Sequence, residues 1–584
     1  MKNVEQKRFK KRTVVLAIFS ILWLAVIGLR LIQLQVVESA ECRLTVLNQN
    51  RNKSDIIPKR GTIYDRNGII LAQSLPCPSV AYHSFEDEPV DVQLEKIKKI
   101  RGICGLTEKD IQSIRLRIEA NSPFIYIERK IDPDKAHHIL SLELEGIHFI
   151  EENKRYYPQG KLASHLIGHV DIDDSGQSGV EYKYNSVLLG DKGKRLILED
   201  ARRRDYRYEV VEPPIPGKDL ILTIDETIQY IAEKELAAAV LKHEANWGVV
   251  IVSFPATGEI LALASYPGFD LNYSPSSFEE LERIKGIHHL FDPGSTFKII
   301  TASAALESGS VGFADVFDCS QPRRIAGKIY KDHKKFGKLT FPGVIIHSSN
   351  IGMIQVGELI GNNNLHKMIQ SYGFGQKTGI DLPAEEKGLF NPLEDWTNSS
   401  LAAHSIGYEI SVTAIQMLQA INTIANRGVA ARPMVVKDIV LSPDKTQPLP
   451  HEYRRIISED IAARLTQILL KVTEEGTGTT AKIHGYRIAG KTGTAQKLDH
   501  DTGSYSSSKH TASFIGFVPV EQPCFSMIVV IDEPKSQYYG SQVAAPVFKE
   551  IARQILRYFR IPPKTKTDSL GTLITAANRR SEDK

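Results

Sequence analysis

The sequence predicts a multidomain α+β protein with an N-terminal membrane anchor, an elongated α/β segment, and a larger domain built as an antiparallel sheet flanked by helices. Three observations predict it. The chain has 584 residues, more than one domain needs. A long uncharged run, "TVVLAIFSILWLAVIGL" (13–29), follows the basic "KRFKKR" (7–12). Strand-like runs stand at both ends of the second half, separated by about 200 mostly helical residues.

The anchor comes first. After Arg30 the apolar character resumes as "LIQLQVV", so the segment is long enough to cross a bilayer. A cleaved signal peptide has a shorter apolar core, and "SAEC" (39–42) places Glu before Cys, which spoils a lipid-attachment site. The basic flank belongs on the cytoplasmic side. This divides the start of the chain into a cytoplasmic tail (1–12) and a single membrane span (13–37), with everything later outside the cytoplasm.

From residue 38 onward, short strand-like runs alternate with charged helical ones. "RGTIYDRNGIILAQS" (60–74) reads as two strands around the turn "DRNG". Acidic residues and Pro mark a loop near 86–92. "VEPPIPGKD" (211–219) is the linker candidate, which sets an extended domain at 38–215 and the main domain at 216–560. The tail, 561–584, reads as poorly ordered.

In the main domain "TIDETIQYIAEKELAAAVLKHEA" (223–245) is a helix that Asp225 can cap. "WGVVIVSF" and "GEILALAS" form a hairpin across "PATG". Three strand-like runs come late: 486–496, 512–520 and 525–532.

Composition excludes little. Net charge is +4, small for this length, which argues neither for nor against nucleic acid; "ARRRDYR" (201–207) reads as a solvated face, and no nucleic-acid partner is expected. Five scattered cysteines show neither metal-ligand spacing nor a disulfide framework. No metal and no organic cofactor is expected.

The chemistry centres on "FDPGSTFKII" (291–300). Ser295 and Lys298 share a face at i, i+3 of a helix expected over 295–308, so Ser295 Oγ and Lys298 Nζ can meet. Ser295 lies in the first turn, where free N–H groups favour a developing negative charge. The helix is otherwise apolar, so Lys298 is expected to be buried. To act as a base near neutrality its pKa must fall by roughly 3 units, about 4 kcal/mol. The same spacing occurs at Ser442/Lys445, Ser506/Lys509 and Ser581/Lys584, all in stretches without an apolar helix. What distinguishes 295/298 is its partners. "HSSNIGM" (347–353) supplies Ser348 and Asn350. "GKTGT" (490–494) supplies Lys491, Thr492, Gly493 and Thr494 on a strand suited to an extended peptide with a terminal carboxylate. A second "KTG" (377–379) reads as a helix-ending loop.

In this order the motifs resemble those of the penicillin-recognising serine transferases and hydrolases. The likeness is wider than three motifs. "RGTIYDRNG", "RYYPQGKLASHLIGHV" and "SGVEYKYN" resemble the N-terminal pedestal, or dimerisation domain, of class B penicillin-binding proteins. "LTID", "TGEILALASYPGFDLN", "DPGSTFK", "SSNIGM", "YGFGQKTGIDLPAE" and "AGKTGTAQ" resemble their transpeptidase domain, of β-lactamase/transpeptidase-like fold. The resemblance implies a monofunctional peptidoglycan D,D-transpeptidase of the bacterial cell membrane, since the glycosyltransferase motif of class A enzymes is missing. It assigns Ser295 as nucleophile and Lys298 as base. Ser348 becomes the proton relay, Asn350 a ligand of the substrate backbone and Lys491 the support of Ser348. Thr492 and Thr494 bind the terminal carboxylate, and the N–H groups of Ser295 and Thr494 form the oxyanion hole. Implied partners are stem peptides ending in D-Ala-D-Ala, β-lactams, a membrane glycosyltransferase and division proteins. "TIANRG" and "SSNIGM" lean to the septal branch, with elongation- and spore-type enzymes as alternatives. Glu409, in "GYEISVT", stands where the family pattern has Gly.

Other readings are weaker. "GYRIAGKT" (485–492) fits a P-loop pattern, but the stretch from Gly493 onward, rich in Gly, Ser and Asp, reads as no helix. "HLIGH" (165–169) has two histidines at zinc-like spacing without the Glu of a metalloprotease helix, so packing or hydrogen bonding is expected of them. A secreted β-lactamase needs neither the anchor nor residues 38–215. A non-enzymatic division scaffold predicts that Ser295 is dispensable.

Overall fold

The computed structural model describes residues 2–33, 51–85, 87–122, 124–199, 205–273, 283–499 and 504–563. The uncharged run is helical, within a helix spanning Lys2–Ile32. Its part Lys11–Ile32, 22 residues, is long and apolar enough to cross a membrane, and none of it is buried in protein. At 1.5 Å per residue that is about 33 Å, the thickness of a bilayer core. Residues 34–37 of the expected span, Cys42, the arginines at 202–204 and the tail beyond 563 lie outside the described residues.

The chain packs as two units: residues 1–59 with 190–217, and residues 60–189 with 218 onward. The first holds the apolar helix and an antiparallel sheet of Arg51–Ile56, Gly193–Glu199 and Asp205–Glu212, in that order.

In the second unit the "DRNG" turn does join two strands. Ile63–Tyr64 pairs antiparallel with Ile70–His83. On its other side Ile63–Tyr64 runs parallel to Asp219–Leu222, which pairs with Val436–Ser442. Residues 60–83 thus share a sheet with strands that lie beyond the Pro-rich 211–219 segment. A buried ionic knot secures this region. Arg60 Nε and Arg155 Nε each donate to one Glu181 oxygen, both at 2.7 Å. Removing either arginine would strip one buried Glu181 oxygen of its donor while the other arginine stays paired, a change on the order of 1–3 kcal/mol. The loop expected at 86–92 is shorter than the sequence suggested. A helix, Val90–Cys104, starts directly after Pro89, because a proline at the N-terminal boundary forfeits no intrahelical hydrogen bond.

The main domain follows the predicted order. Helix α1 (Glu226–Lys242) is capped by Asp225 Oδ1, which accepts from the Ile228 N–H. Strands β1 (Trp247–Ser253) and β2 (Ile260–Tyr266) form the hairpin. Helices α2 (Lys298–Glu307) and α3 (Asn350–Ser371) belong to the helical insert. Strands β3 (Ala489–Asp499), β4 (Ser504–Val518) and β5 (Phe525–Asp532) return to the sheet, and α4 (Gly540–Tyr558) closes the domain. The sheet order is β2-β1-β5-β4-β3, antiparallel throughout.

Both faces of the central strands are buried, which is why they read as continuous apolar runs rather than alternating ones. Val250, Val252, Met527 and Val529 pack with α1 and α4. Val249, Ile251, Ile528 and Val530 pack against the helical insert, α2 and α3 included. Strand β3 is left at the edge of the sheet, next to the start of α2.

Candidate active site

Three separate segments converge between α2, α3 and β3. The expected helix 295–308 is a 3₁₀ turn, Gly294–Phe297, leading into α2. Gly294 has φ +51, a left-handed conformation that costs other residues roughly 1–2 kcal/mol, and its N–H donates to Gly407 O. Ser295 is half-buried, and among the described residues its N–H has no carbonyl partner.

Lys298 is completely buried. Its Nζ donates to Ser348 O (2.8 Å), Asn350 Oδ1 (2.8 Å) and Ser348 Oγ (3.4 Å). Lys491, also fully buried, donates from Nζ to Ser348 Oγ at 2.9 Å. Sequence spacing suggested that Ser295 Oγ and Lys298 Nζ could meet, yet among the described residues no hydrogen bond joins them. The three protons of an ammonium already face three acceptors, and only the neutral amine has a lone pair to offer a hydroxyl.

Electrostatics brings that neutral form within reach near neutral pH. Burial lowers the Lys298 pKa to about 7, against the opposing pull of the Asp332 carboxylate. Burial also holds Lys491 well below the usual lysine range, and the charge on Lys298 adds to this.

Ser348 sits just before α3 with φ +58, a strained backbone for a residue with a side chain. Its neighbours over-determine it. Ser349 Oγ accepts from the Gly352 N–H and donates to Asp332 Oδ2 at 2.7 Å. Asp332 Oδ1 accepts from the N–H groups of Asn350 (2.5 Å) and Ile351 (3.1 Å). A carboxylate here satisfies the exposed donors of a helix start. Asp332 was not anticipated from sequence. Its one signal is that it is a lone acid in the basic run "KIYKDHKKFGK" (328–338).

Asn350 is turned inward. Oδ1 holds Lys298, and Nδ2 donates to Lys331 O at 3.1 Å, which leaves one amide proton for a ligand.

On β3, Gly493 is the close-approach position. A Cβ there would meet Ser513 Oγ at 2.3 Å, Thr296 Cγ2 at 2.8 Å and Pro293 O at 3.1 Å. The strand therefore presses against the Ser295 turn. Thr492 Oγ1 lies 2.8 Å from Thr477 Oγ1, and Thr494 Oγ1 accepts from the Gly540 N–H. Thr477 carries no motif signal and was missed. Behind the serine turn, Asp292 accepts from Tyr505 Oη (2.8 Å) and Ser411 Oγ (3.0 Å), and burial raises its pKa.

The family's Gly position is explained by backbone: Glu409 has φ +58. Its carboxylate accepts from Ser400 Oγ at 2.7 Å and meets Lys328 Nζ at 3.4 Å.

The competing motifs resolve differently. Lys491 and Thr492 pair with Ile515 and Phe514 inside β3, so the P-loop reading fails: no helix starts there to receive a phosphate. The 377–379 copy of Lys-Thr-Gly lies in a turn after α3, where the Thr378 N–H donates to Glu385. His165 is buried edge-on to Phe269 at 5.2 Å, and His169 Nδ1 lies 3.0 Å from Ser178 Oγ.

A family model described as penicillin binding protein transpeptidase domain matches residues 248–553, and one described as penicillin-binding protein dimerisation domain matches 55–222. Stage V sporulation protein D of Bacillus subtilis is 32% identical over 576 residues, 96% of this chain and 88% of that protein. Peptidoglycan D,D-transpeptidase FtsI of Escherichia coli is 33% identical over 516 residues, 87% of this chain and 85% of that one. The crystal structure of penicillin-binding protein 3 from Mycobacterium tuberculosis, complexed with aztreonam, superposes with a TM-score of 0.69 at 26% identity, covering 88% of this chain and 98% of that chain. By sequence, by fold and by the order of its motifs, the chain belongs to the class B penicillin-binding proteins, the peptidoglycan D,D-transpeptidase family.

Proposed function

We propose that this protein cross-links peptidoglycan stem peptides through a Ser295 acyl-enzyme, in septal wall synthesis. The observation that carries the reading is Lys298: wholly buried, one turn from Ser295, and poised by burial to lose its proton near pH 7.

Ser295 Oγ attacks the carbonyl between the two terminal D-alanines, and its proton passes to Lys298 Nζ. The N–H groups of Ser295 and Thr494 hold the oxyanion, a contribution typically worth about 10²–10³ in rate. Ser348, in contact with both lysines, hands a proton to the departing D-alanine amine. Asn350 orients the peptide backbone, while Thr492 and Thr494 hold the terminal carboxylate. The acyl group stays on Ser295 until the amine of a second stem attacks it, which restores the serine and forms the cross-link. A β-lactam enters as a mimic of D-Ala-D-Ala and leaves slowly.

The apolar helix fixes the chain in the cell membrane with residues 1–12 cytoplasmic and the catalytic domain outside. Residues 38–215 form the pedestal that meets a membrane glycosyltransferase and division proteins, 216–560 the catalytic domain, and 561–584 a tail.

The test is a fluorescent penicillin added to the detergent-solubilised full chain, with the labelled peptide mapped by mass spectrometry. The adduct is expected on Ser295, absent from Ser295→Ala, and indifferent to chelators and ATP. An adduct on another side chain would overturn the assignment.

A second cellular role has the same support from similarity: the match to a sporulation protein spans 96% of the chain at 32% identity, and that to an FtsI protein 98% at 32%. A fluorescent fusion in the native cell separates the two: a midcell ring supports the septal role, and recruitment to a developing spore the other.

A further inference from the structure

A strap at 331–336 is fixed against the catalytic residues at three points. Asn350 Nδ2 donates to Lys331 O, Asp332 binds the start of α3, and the Phe336 ring stacks on His347, 5.7 Å away and next to Ser348. The hairpin leading into it, Arg323–Ile325 with Lys328–Tyr330, is tied down by Lys328–Glu409. The backbone of the strap is therefore held in place while the side chains of Lys331, Lys334 and Lys335 are all exposed.

These cations are not neutralised. Among the described residues Arg323 pairs with Glu358 and Lys328 with Glu409, but Lys331, Lys334 and Lys335 form no ion pair. Lys334 lies over the Phe336 ring at 5.2 Å. The one acid in the strap, Asp332, is engaged by Ser349 and the α3 backbone. The strap adjoins the catalytic centre, because Asn350 bonds Lys331 O through Nδ2 and Lys298 Nζ through Oδ1. Three like charges on a rigid segment repel one another, and an anion relieves that repulsion.

We propose that Lys331, Lys334 and Lys335 form an anion subsite at the rim of the cleft, which takes a free carboxylate carried by a stem peptide away from its reacting end. The inference rests on the transpeptidase reading. It favours a ligand lying in the cleft over a wall polymer bound elsewhere, because the strap's anchors are Asn350, Ser349 and His347, residues of the cleft itself. The carboxylate belongs either to the donor stem or to the acceptor.

The test uses the detergent-solubilised full chain and the variant Lys331→Ser/Lys334→Ser/Lys335→Ser. In the donor arm the substrates are γ-D-glutamyl-L-lysyl-D-alanyl-D-alanine and the same peptide with its glutamyl carboxylate amidated, read as D-alanine release. In the acceptor arm a thioester donor is transferred to the side-chain amine of Nα-acetyl-L-lysine or of Nα-acetyl-L-lysinamide. The wild type is expected to prefer the carboxylate form in one arm. The variant is expected to raise KM for that form by about five- to tenfold with kcat unchanged, and to lose the preference. Added salt should erode it in the wild type, since exposed charges are screened. Lys→Arg at the three positions should retain it. An effect in either arm supports the subsite and assigns its source. A variant that keeps the wild-type preference in both arms overturns it, as does one whose penicillin labelling falls in parallel, because that would mark a merely structural role. If the wild type itself fails to label at Ser295, the transpeptidase reading fails instead, so the two failures are distinguishable.

Discussion

Lys298 Nζ and Asn350 Oδ1 lie 2.8 Å apart although 52 positions separate them in the chain. The acceptor is a neutral amide. A neutral oxygen orients the amine without trapping it as an ammonium, so burial is free to bring its pKa to about 7.

That relationship sets the first expectation. Asn350→Asp keeps the shape but puts a carboxylate against the amine, which favours the charged lysine by about 1–3 pKa units. Acylation by penicillin at pH 7 should fall by roughly ten- to a thousandfold, and recover as pH is raised. A variant equally slow at pH 7 and pH 9.5 would show that Asn350 acts otherwise.

In the wild type the base must be neutral, so the acylation rate constant should rise with pH and level off above about 7. Asp332 raises the Lys298 pKa, so Asp332→Asn should move this limb to lower pH. Stopped-flow acylation across pH 5–9 reads both; an unmoved limb with a uniformly lower rate would mean Asp332 only holds the backbone.

Gly493→Ala places a methyl 2.3 Å from Ser513 Oγ and 2.8 Å from Thr296 Cγ2. The edge strand has to move away from the Ser295 turn, and a misplacement of about 1 Å can cost on the order of 10² in rate. Acylation should drop by that order while the melting temperature falls by only a few degrees. Labelling within twofold of wild type would disprove the close fit.

Glu233 offers a stability test away from the chemistry. Burial raises its pKa from 4.5 to about 7, while its Oε1 accepts from Gln229 Nε2 and the Ala163 N–H, both at 2.8 Å. A carboxyl whose folded pKa is raised contributes fully below about 4.5 and loses that contribution as pH rises to about 7. Glu233→Gln keeps the acceptor and removes the charge. Calorimetry should find it more stable than wild type at pH 8, by at most about 3 kcal/mol, and equal at pH 4.5. Equal melting at both values would refute the buried-charge account.

Much of the fold was legible because its signals are local. Asp225 before an apolar helix, the "DRNG" turn and the apolar runs that became β1, β4 and β5 depend on neighbours within a few positions. The helix start after Pro89 was not read, since acidic residues around a proline describe a loop and a helix N-terminus equally well. Asp332 and Thr477 were invisible for a different reason. Each acts only through contacts, with Ser349 and Thr492, that no spacing in the chain encodes.

By itself, then, the order of residues determined the apolar span, the succession of helices and strands, and which serines, lysines and threonines could do chemistry. Tertiary structure decided that Lys298 and Lys491 both reach Ser348, that an edge strand closes on the Ser295 turn, and that Lys298 gives up its proton near pH 7. Hydrophobic period and turn chemistry are written in neighbouring residues, whereas desolvation is the joint effect of distant segments that meet only when the core forms.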